Sequence, residues 1–460
     1  MKVCKKVLLI NPEDSRSKLN FDGIIVNEPL DLEIIYTALI KNDIKAKFYD
    51  FLTNEKEDLK SVIEEYKPDF ICTTAVINQI PFVLEYFNIA KHVNKNIKTI
   101  ITGSYAEHNY RQLFLNCIDY ISRSYDPNCI VNIISDVDNK NINGLCYKVN
   151  NVWKNNKLSY FDINSITTID RKHFYKNKKI YRYLEMVGAC QVRTSYSCPY
   201  KCKFCYRTIL NNNKYVTKDI IKVVDEIESI KSDNIYIVDD DFLFNRNRLI
   251  EFITEVKKRK IHKKYICYGR VDFILKNKDI IKELKEIGFY YILVGLEAIN
   301  DNNLNNYNKL IKKDDNVNCV QFLNDIGINC MGMFIIDLNF KRKDFKNLYN
   351  WIKTNNLKHV ALSIFTPLPG TKLYNEYKNK LITQDLTKWD YVHLVTKPLN
   401  LNKHIFYLYY YLLVIKLFKL AKRNNVYDFI DFKKLRKNFF GLVVKDWKTY
   451  MLFCQDLKHL

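Results

Sequence analysis

The stretch that decides the fold is SCPYKCKFCY, residues 197–206, which holds three cysteines with three and then two residues between them. It follows the apolar run Ala189–Ser195, which predicts a strand, so the cysteines lie on a strand-end loop. Three thiolates on one short loop can hold three irons of a cubane iron–sulfur cluster. The next Cys or His candidates, His262 and Cys267, are distant in sequence. An iron without a protein ligand can chelate the amino and carboxylate groups of a small molecule, so the loop predicts a cluster with one open iron.

A zinc site or a closed iron–sulfur site, with Cys190 as the fourth ligand, is the alternative for this loop. Structural zinc sites usually take their ligands from two CxxC-like pairs, and the sequence has one clear pair of this kind here. Cys190 also belongs to the preceding strand, eight residues before Cys198. Two neighbours suit a small-molecule site instead, because Pro199 fixes φ at the start of the loop and Phe204 offers a flat face on which a purine can stack.

The residues around and after the cysteine loop alternate between strand and helix patterns. Gly288 and Gly327 follow the last apolar turn of two helices, where a left-handed C-cap belongs. Six βα repeats predict a partial or complete parallel barrel, with the polar ends of its strands at one mouth. The mouth collects Asp239, Asp240, Arg270, Asp272 and Glu297. The predicted strands are Ala189–Ser195, Asn234–Asp239, Tyr265–Arg270, Tyr290–Leu296, Cys330–Leu338 and Val360–Thr366, and the helices are Thr217–Lys231, Arg246–Lys260, Lys278–Gly288, Lys313–Gly327 and Lys343–Asn355.

The first 150 residues show a second, shorter alternation of five βα units, which predicts a doubly wound, Rossmann-like parallel sheet. Ligands of such sheets sit beyond the carboxyl ends of the strands. The residues predicted at that edge are Asn11, Thr73, Thr74, Gly103 and Ser104. The predicted strands are Lys6–Asn11, Ile44–Asp50, Asp69–Thr74, Ile97–Gly103 and Ile118–Ser122, and the helices are Leu30–Lys41, Glu55–Tyr66, Ile80–Asn94 and Ala106–Leu115.

The sequence therefore divides into residues 1–150 with the sheet, a linker at 151–186, the barrel at 187–400 and a helical region at 401–460. The last region is aromatic and basic, and its stretch Phe406–Leu420 predicts a helix packed on the barrel. A membrane-surface role for this helix is the less favoured alternative. Ile405–Leu420 comes closest to a membrane span, but Lys416 and Lys419 interrupt it.

Composition excludes some classes of protein. A hydrophobic fraction of 47% excludes wholesale disorder. The net charge of +22 invites a polyanion partner, but the lysines are scattered and Asn is abundant, so a compositional bias is the favoured explanation and we expect no nucleic-acid partner. The 13 cysteines come without a secretory signal, which predicts a cytoplasmic protein whose cysteines are free or bound to metal.

The cysteine motif at the start of a βα barrel resembles that of the radical S-adenosylmethionine (radical SAM) superfamily, and the wider pattern resembles its cobalamin-binding branch. The resemblance covers about Val7 to Thr396. Its segments are Val7–Pro12 (VLLINP), Pro68–Thr74 (PDFICTT), Thr194–Cys205, Asp239–Phe242 (DDDF), Arg270–Asp272 (RVD), Gly295–Ala298 (GLEA), Asn308–Lys309 and Thr366–Thr371 (TPLPGT).

The resemblance implies site residues. Cys198, Cys202 and Cys205 would ligate a 4Fe–4S cluster. S-adenosylmethionine would be held by Phe204 near the adenine, Asp239 or Asp240 at the amino group, Glu297 at the ribose or a neighbouring polar group, and Arg270. Cobalamin would contact Asn11, Thr73, Thr74, Gly103 and Ser104.

The chemistry implied is reductive cleavage of S-adenosylmethionine to a 5′-deoxyadenosyl radical, followed by methylation or rearrangement of an unactivated carbon of a small molecule. A flavodoxin or ferredoxin would supply the electron. The sequence departs from the family pattern in places that put the substrate and the corrinoid in question: Pro29-Leu30-Asp31, Gly103-Ser104, Arg123-Ser124, Tyr196-Ser197, and Asp337 with Asn339.

Purely structural roles stay open for several of these residues. Asp239–Asp241 could cap the following helix, Glu297 could pair with a lysine of the barrel wall, and Arg270 could be a structural ion-pair partner. For the whole chain, one alternative is a radical enzyme whose first domain is only a scaffold. The other is a metal-stabilised basic protein that binds nucleic acid.

Overall fold

The computed structural model describes residues 5–13, 25–53, 57–166, 168–427 and 429. The predictions for residues 430–460 lie outside the described residues, as does the start of the predicted helix Glu55–Tyr66. Two parallel sheets, each covered by helices, follow one another along the chain, as the sequence predicts.

The first sheet has seven strands in the order β3-β1-β4-β5-β6-β7-β8, with β7 and β8 antiparallel and the others parallel. Strand β1, between β3 and β4, is wholly buried from Val7 to Ile10, since α1 and α5 cover one face of the sheet and α2 and α3 the other. The elements are β1 (Lys6–Asn11), β2 (Ile25–Val26), α1 (Leu30–Lys41), β3 (Lys45–Asp50), α2 (Leu59–Tyr66), β4 (Phe70–Thr74), α3 (Ile80–Val93), β5 (Lys98–Thr102), α4 (Ser104–Asn109), β6 (Tyr120–Ser122), α5 (Pro127–Ile134), β7 (Leu145–Val149) and β8 (Val152–Asn155).

Two details differ from the prediction. The predicted helix Ala106–Leu115 is instead α4 followed by a 3₁₀ turn at Tyr110–Leu113. The hairpin strand β8 pairs with β7, so the first sheet continues beyond the boundary predicted at residue 150. The linker also folds on the other parts, because it contributes α6 (Lys172–Asn177), β9 (Arg182–Tyr183) and β10 (Met186–Val187), and β9 pairs with β2.

The second sheet is an open, six-stranded parallel barrel in the sequential order β11-β14-β15-β16-β17-β18. The predicted C-cap glycines have positive φ, +108° at Gly288 and +71° at Gly327. The elements are β11 (Cys190–Val192), β12 (Ser195–Tyr196), α7 (Leu210–Asn213), β13 (Val216–Thr217), α8 (Ile220–Ser229), β14 (Asn234–Ile237), α9 (Arg246–Lys258), β15 (Lys264–Gly269), α10 (Val271–Lys276), α11 (Lys278–Glu286), β16 (Phe289–Glu297), α12 (Asp301–Asn306), α13 (Lys313–Asp325), β17 (Asn329–Ile336), α14 (Arg342–Thr354), β18 (His359–Ile364), α15 (Lys372–Tyr377) and α16 (Lys403–Arg423).

A buried ion network joins the first sheet, the linker and the barrel. Arg171 of the linker lies 2.7 Å from Glu28, just before α1, and 2.7 Å from Glu226 of α8. Lys218 contacts the second oxygen of Glu226 at 2.7 Å. Burial raises the pKa of Glu28 to about 7, and burial together with Glu28 raises the pKa of nearby Glu33. Removing one member of such a network leaves uncompensated buried charge, so the two domains are firmly coupled.

The helix α16 packs on α14, with Phe406 against Phe345 at a ring separation of 5.5 Å. Phe406, Tyr410 and Leu413 are buried, which agrees with the predicted packing on the barrel. In the part of the chain that the structure describes, α16 is the one helix long and apolar enough to cross a membrane, and 28% of its apolar stretch is buried in the fold.

Candidate active site

The cysteine loop leaves the barrel directly after β12. Cys198, Cys202 and Cys205 are free and partly exposed, whereas the other described cysteines, apart from Cys117, are buried. The loop is compact, since the Cys205 amide donates to the Cys202 carbonyl at 3.2 Å and the Ser197 hydroxyl donates to the Arg207 carbonyl at 3.0 Å. Accessible thiols are the reactive and metal-binding ones, so this loop differs in kind from the structural cysteines.

The donor set of the loop is three thiols, the ligand type that iron–sulfur clusters use. Burial raises the pKa of Cys205 to about 12 and raises that of Cys198, so metal binding has to displace their protons. Among the residues that the structure describes, no three His, Cys, Asp or Glu side chains converge on one ion. The zinc alternative also loses its fourth ligand, because the Cys190 thiol is buried and faces Glu28 at 3.7 Å.

Arg270 contacts the cysteine loop. Its guanidinium lies 3.8 Å from the centre of the Tyr200 ring and donates to the Cys202 sulfur at 3.5 Å. It also pairs with Asp272 at 3.0 Å and donates to the Lys309 carbonyl at 2.8 Å. Arg270 is thus the structural ion-pair partner that the sequence allowed, and it also contacts a loop cysteine.

Glu297 lies at the end of β16 in a strained conformation. Its φ is +60°, at a point where the pairing of β16 with β17 shifts register. Its carboxylate accepts from Lys309 Nζ at 3.1 Å. A Cβ at Gly295 would lie 2.5 Å from the Glu297 carboxylate and 2.9 Å from Lys309 Nζ, so the glycine leaves room for this ion pair. Strained backbone of this kind is concentrated at functional sites.

The three consecutive aspartates after β14 have different surroundings. Asp239 is buried and accepts hydrogen bonds from the Thr194 amide at 2.6 Å, from the Thr194 hydroxyl and from the Ser195 amide at 3.0 Å. Asp240 pairs with Arg207 at 3.3 Å. Asp241 is 3% exposed, and its Oδ2 has no hydrogen-bond partner.

These surroundings separate the roles that the aspartates can take. Asp239 holds the backbone before the cysteine loop and has little capacity left for a ligand. Burial raises the pKa of Asp241 to about 7, although Arg270 and Lys309 oppose the shift. A buried carboxylate oxygen without a partner, beside two cations and Cys198, is ready to accept a hydrogen bond from a ligand.

Phe204 packs edge-on against Tyr307, with ring centres 5.5 Å apart. The same loop contact continues in the backbone, where the Lys203 amide donates to the Tyr307 carbonyl at 3.2 Å. The ring of Phe204 is therefore held beside the cysteines and keeps one face free of this partner.

The carboxyl edge of the first sheet contains two cavities. The first, which we call the sheet-edge cavity, is an open cleft with about 360 Å³ of empty space, including solvent at its mouth, and is lined by Thr74 and Gly103 together with residues of α1 and α5. The second, the mouth cavity, is a similar open cleft with about 330 Å³ of empty space and lies between Ser104 and Tyr206, the residue after the last loop cysteine. The Ser104 hydroxyl lies 3.4 Å from that of Tyr206.

Asn11 and Thr73, also predicted at this edge, line neither cavity. Asn11 donates to Asp50 at 2.9 Å, and Thr73 is buried and donates to the Thr74 carbonyl at 3.3 Å. Gly103 is also predicted at the ligand edge. Its close backbone approach is internal, because a Cβ at its φ of +102° would lie 2.8 Å from the Ala75 nitrogen.

Several residues of the site were not predicted from the sequence, namely Tyr206, Arg207 and Lys309 as charged or hydrogen-bonding groups, and Asp241 as the unpartnered carboxylate. Asp241 lies within Asp239–Phe242 and Lys309 within Asn308–Lys309, two segments of the family resemblance, so the resemblance could have indicated both. Arg207 follows the last cysteine by two residues and carried none.

The structure provides an open parallel barrel with a loop of three partly exposed cysteines at its mouth, which is the arrangement that the sequence predicts for radical S-adenosylmethionine chemistry. Residues 192–352 match the family model described as "Radical SAM superfamily", so the barrel is a radical SAM domain.

Curated relatives extend the similarity. The chain is 23% identical over 399 residues to the hopanoid C-3 methylase of Methylococcus capsulatus, covering 85% of this chain and 76% of that protein. It is 25% identical over 376 residues to the anaerobic magnesium-protoporphyrin IX monomethyl ester cyclase of Cereibacter sphaeroides, covering 77% of this chain and 60% of that one.

Two solved structures share the fold. The cobalamin-dependent S-adenosylmethionine radical enzyme OxsB, with aqua-cobalamin and S-adenosylmethionine bound, matches with a TM-score of 0.68 and 16% identity, over 86% of this chain and 65% of its own. The radical S-adenosylmethionine methyltransferase TsrM from Kitasatospora setae, with cobalamin and a [4Fe-4S] cluster, matches with a TM-score of 0.66 and 16% identity, over 86% and 83%. The predicted radical SAM enzyme with a Rossmann-like first domain is confirmed.

Proposed function

We propose that this radical SAM enzyme binds cobalamin between its two domains and methylates or rearranges an unactivated carbon of a small molecule. The observation that carries the proposal is the position of the mouth cavity, which lies between Ser104 of the first domain and Tyr206 beside the cysteine loop. A corrinoid held there would lie next to the radical site. The names of OxsB and of the methylases among the relatives support the same assignment.

In this proposal Cys198, Cys202 and Cys205 ligate a 4Fe–4S cluster, which supplies one electron for the cleavage of S-adenosylmethionine. Asp240 and Asp241 face the amino group, Phe204 lies along the adenine, and Glu297 with its partner Lys309 binds the ribose side. Arg270 donates to the Cys202 sulfur and would hold this ligand in place for the cluster. Asp239 fixes the backbone that leads into the loop.

The cobalamin part of the proposal rests on Thr74, Gly103 and Ser104, which line the two cavities. We assign Asn11 and Thr73 no role in it, because both side chains are engaged elsewhere. The alternative of a first domain that serves only as a scaffold stays open and predicts no retained corrinoid. The nucleic-acid alternative required zinc at the cysteine loop, and the radical SAM match argues against it.

The substrate is a small molecule that reaches the barrel mouth, and the enzyme requires an external reductant. We propose a flavodoxin or a ferredoxin as that reductant, and a cytoplasmic location. We also propose that the functional units are the first sheet with its hairpin, the linker, the barrel and the C-terminal helical region.

An anaerobic absorbance spectrum tests the proposal. The protein would be reconstituted with iron, sulfide and cobalamin and then desalted. We expect a broad iron–sulfur shoulder together with corrinoid bands that stay with the protein. A shoulder without corrinoid would contradict the cobalamin assignment and leave the scaffold alternative, and a spectrum with neither would contradict the whole proposal.

A cavity-filling variant makes the test specific. Ser104→Phe places a large ring in the mouth cavity, so we expect the retained corrinoid to fall at least about tenfold while the iron–sulfur shoulder stays. Ser61→Phe, at an exposed position near the start of α2, is the matched control and should keep both signals. Equal corrinoid retention in the two variants would place the corrinoid elsewhere.

A further inference from the structure

Leu310 is an apolar side chain held out into solvent beside the cysteine loop. It is 79% exposed, more than any other large hydrophobic residue in the described part of the chain. Its neighbour Ile311 is buried, and Leu310 itself has a positive φ of 56°. A bulky residue rarely adopts this conformation, so the backbone is held in place by its surroundings and the leucine is presented in a fixed position.

The segment that carries Leu310 is bonded directly to the cysteine loop. The Asn308 side chain donates to the Lys201 carbonyl at 2.9 Å. The Lys309 carbonyl accepts from Arg270 at 2.8 Å, and Arg270 in turn reaches the Cys202 sulfur at 3.5 Å. Leu310 is thus connected to a loop cysteine through its neighbour's carbonyl and one guanidinium, which makes this surface a short route to the site.

Five lysines surround Leu310 and the cysteine loop, and we call them the lysine rim. They have no salt-bridge partner within the described residues, and four are exposed while Lys203 is half-buried. The nearby Asp301 and Asp315 accept hydrogen bonds from the backbone amides of the rim at 2.7 and 2.8 Å. The lysine rim consists of Lys201, Lys203, Lys312, Lys313 and Lys372.

We propose that Leu310 and the lysine rim are the docking surface for a small acidic protein that carries one electron at low potential. This inference rests on the proposed radical function and deepens it. An apolar contact surrounded by unpaired positive charge complements an acidic protein surface with an exposed redox group. Electron-transfer encounters bury little area, so one leucine and a ring of lysines are enough for such a complex.

The electron step needs no bond to form or break. The reduced carrier loses one electron and is oxidised, and the electron is accepted at the iron–sulfur group of the cysteine loop. Lys372 belongs to the same surface, because the next residue, Leu373, donates its amide to the Lys203 carbonyl at 3.4 Å. Neither Leu310 nor any lysine of the rim lines the mouth cavity, so the proposed docking surface and the cavity use different residues.

The test compares two reductants with the reconstituted holoenzyme. Stopped-flow loss of iron–sulfur absorbance gives the rate of reduction by reduced flavodoxin or ferredoxin and, separately, by dithionite. Calorimetry with the oxidised carrier gives its affinity. We expect the double variant Lys312→Glu/Lys313→Glu to lower the carrier-driven rate about tenfold at low salt, with a weaker salt dependence than the wild type. We expect Leu310→Ser to weaken carrier binding about tenfold.

Dithionite is small and does not need the docking surface, so both variants should match the wild type with it. Lys346→Glu on α14 and Leu408→Ser on α16 are the matched controls and should behave as wild type with every reductant. The proposal would be overturned if the carrier reduced both Lys312→Glu/Lys313→Glu and Leu310→Ser at the wild-type rate. It would also be overturned if dithionite reduced the wild type and neither flavodoxin nor ferredoxin did. A wild type that dithionite also fails to reduce would overturn the proposed function itself.

Discussion

Two carboxyl edges of parallel sheets face each other in this molecule, and they use their polar residues differently. At the barrel mouth, Glu297 has a strained backbone and Asp241 keeps a buried oxygen without a partner. At the edge of the first sheet, Asn11 and Asp50 are engaged in structure, since Asp50 accepts from Asn11, His173 and Tyr181. Although burial opposes the shift, these hydrogen bonds lower the pKa of Asp50.

The two edges therefore contribute to the function in different ways, the barrel mouth through its side chains and the first sheet through its cavities. The barrel mouth offers charged groups for a ligand. The first sheet fastens itself to the linker with its polar groups and offers cavities around Gly103 and Ser104. Changes at the barrel mouth should therefore affect chemistry. Changes at the buried ion network around Arg171, which we call the clamp between the domains, should affect stability.

The largest effect is expected from Cys202→Ala. With two of three thiolates left, we expect loss of the iron–sulfur shoulder and a fall of more than about 100-fold in bound iron and in reductive cleavage of S-adenosylmethionine. Cys117→Ala removes a partly exposed cysteine of the first domain, the one outside the loop among the described residues, and should leave both signals unchanged. Iron analysis and absorbance decide the outcome, and full iron binding by Cys202→Ala would contradict the assignment of the loop.

Arg171→Met tests how much the buried ion network between the domains contributes to stability. It leaves Glu28, Glu33 and Glu226 with Lys218 as their cation, so we expect the free energy of unfolding to fall by about 3–5 kcal/mol. Arg246→Met removes an exposed pair with Asp279 and should cost much less. Denaturant titration measures both, and equal values would mean that the clamp does not couple the domains.

The pH dependence of stability tests His359, the first residue of β18, which lies at the end of the barrel opposite the mouth (the barrel floor). Burial lowers the pKa of His359 to about 4, and its Nδ1 has no hydrogen-bond partner. The unfolded chain binds this proton near pH 6.5 and the folded one does not, so the neutral histidine costs stability as the pH falls below 6.5. At pH 5 we expect about 2 kcal/mol less stability than at pH 7.5 from this residue.

The difference between wild type and His359→Gln isolates this contribution, because Asp241 and Glu28, with raised pKa values, act in the opposite direction. Denaturation at several pH values should show the wild type losing stability relative to His359→Gln on acidification. The exposed His92→Gln should track the wild type. A difference that does not change with pH would mean that His359 has the same pKa in the folded and the unfolded chain.

The smallest effect is expected from Glu297→Gln. The shape is kept and the charge that pairs with buried Lys309 is lost, so we expect KM for S-adenosylmethionine to rise about tenfold, together with a lower free energy of unfolding because Lys309 is left without its carboxylate partner. Glu185→Gln at the barrel floor removes a carboxylate that accepts from Tyr291 at 2.9 Å and should leave KM unchanged. If the two variants raise KM equally, Glu297 has no special role in binding.

The sequence predicted the strands of both sheets and the cysteine loop well, because these depend on local patterns of apolar residues and on spacing. It could not separate Asp239 from Asp241, since their surroundings come from Thr194 and Arg270, which the fold brings from other strands. Asn11 lies at the predicted edge, but its partner Asp50 is 39 residues away. The exposure of Leu310 depends on a backbone conformation that no local pattern in the sequence indicates.

The central claim is that the three-cysteine loop at the barrel mouth carries out radical chemistry on S-adenosylmethionine. The most direct measurement is chromatographic detection of 5′-deoxyadenosine after iron-reconstituted wild-type protein is incubated with S-adenosylmethionine and dithionite without oxygen, with Cys202→Ala as the blank. We predict that the wild type forms 5′-deoxyadenosine and methionine while the blank forms neither. An iron-loaded wild type that leaves S-adenosylmethionine intact, or a blank that cleaves it equally well, would contradict the claim.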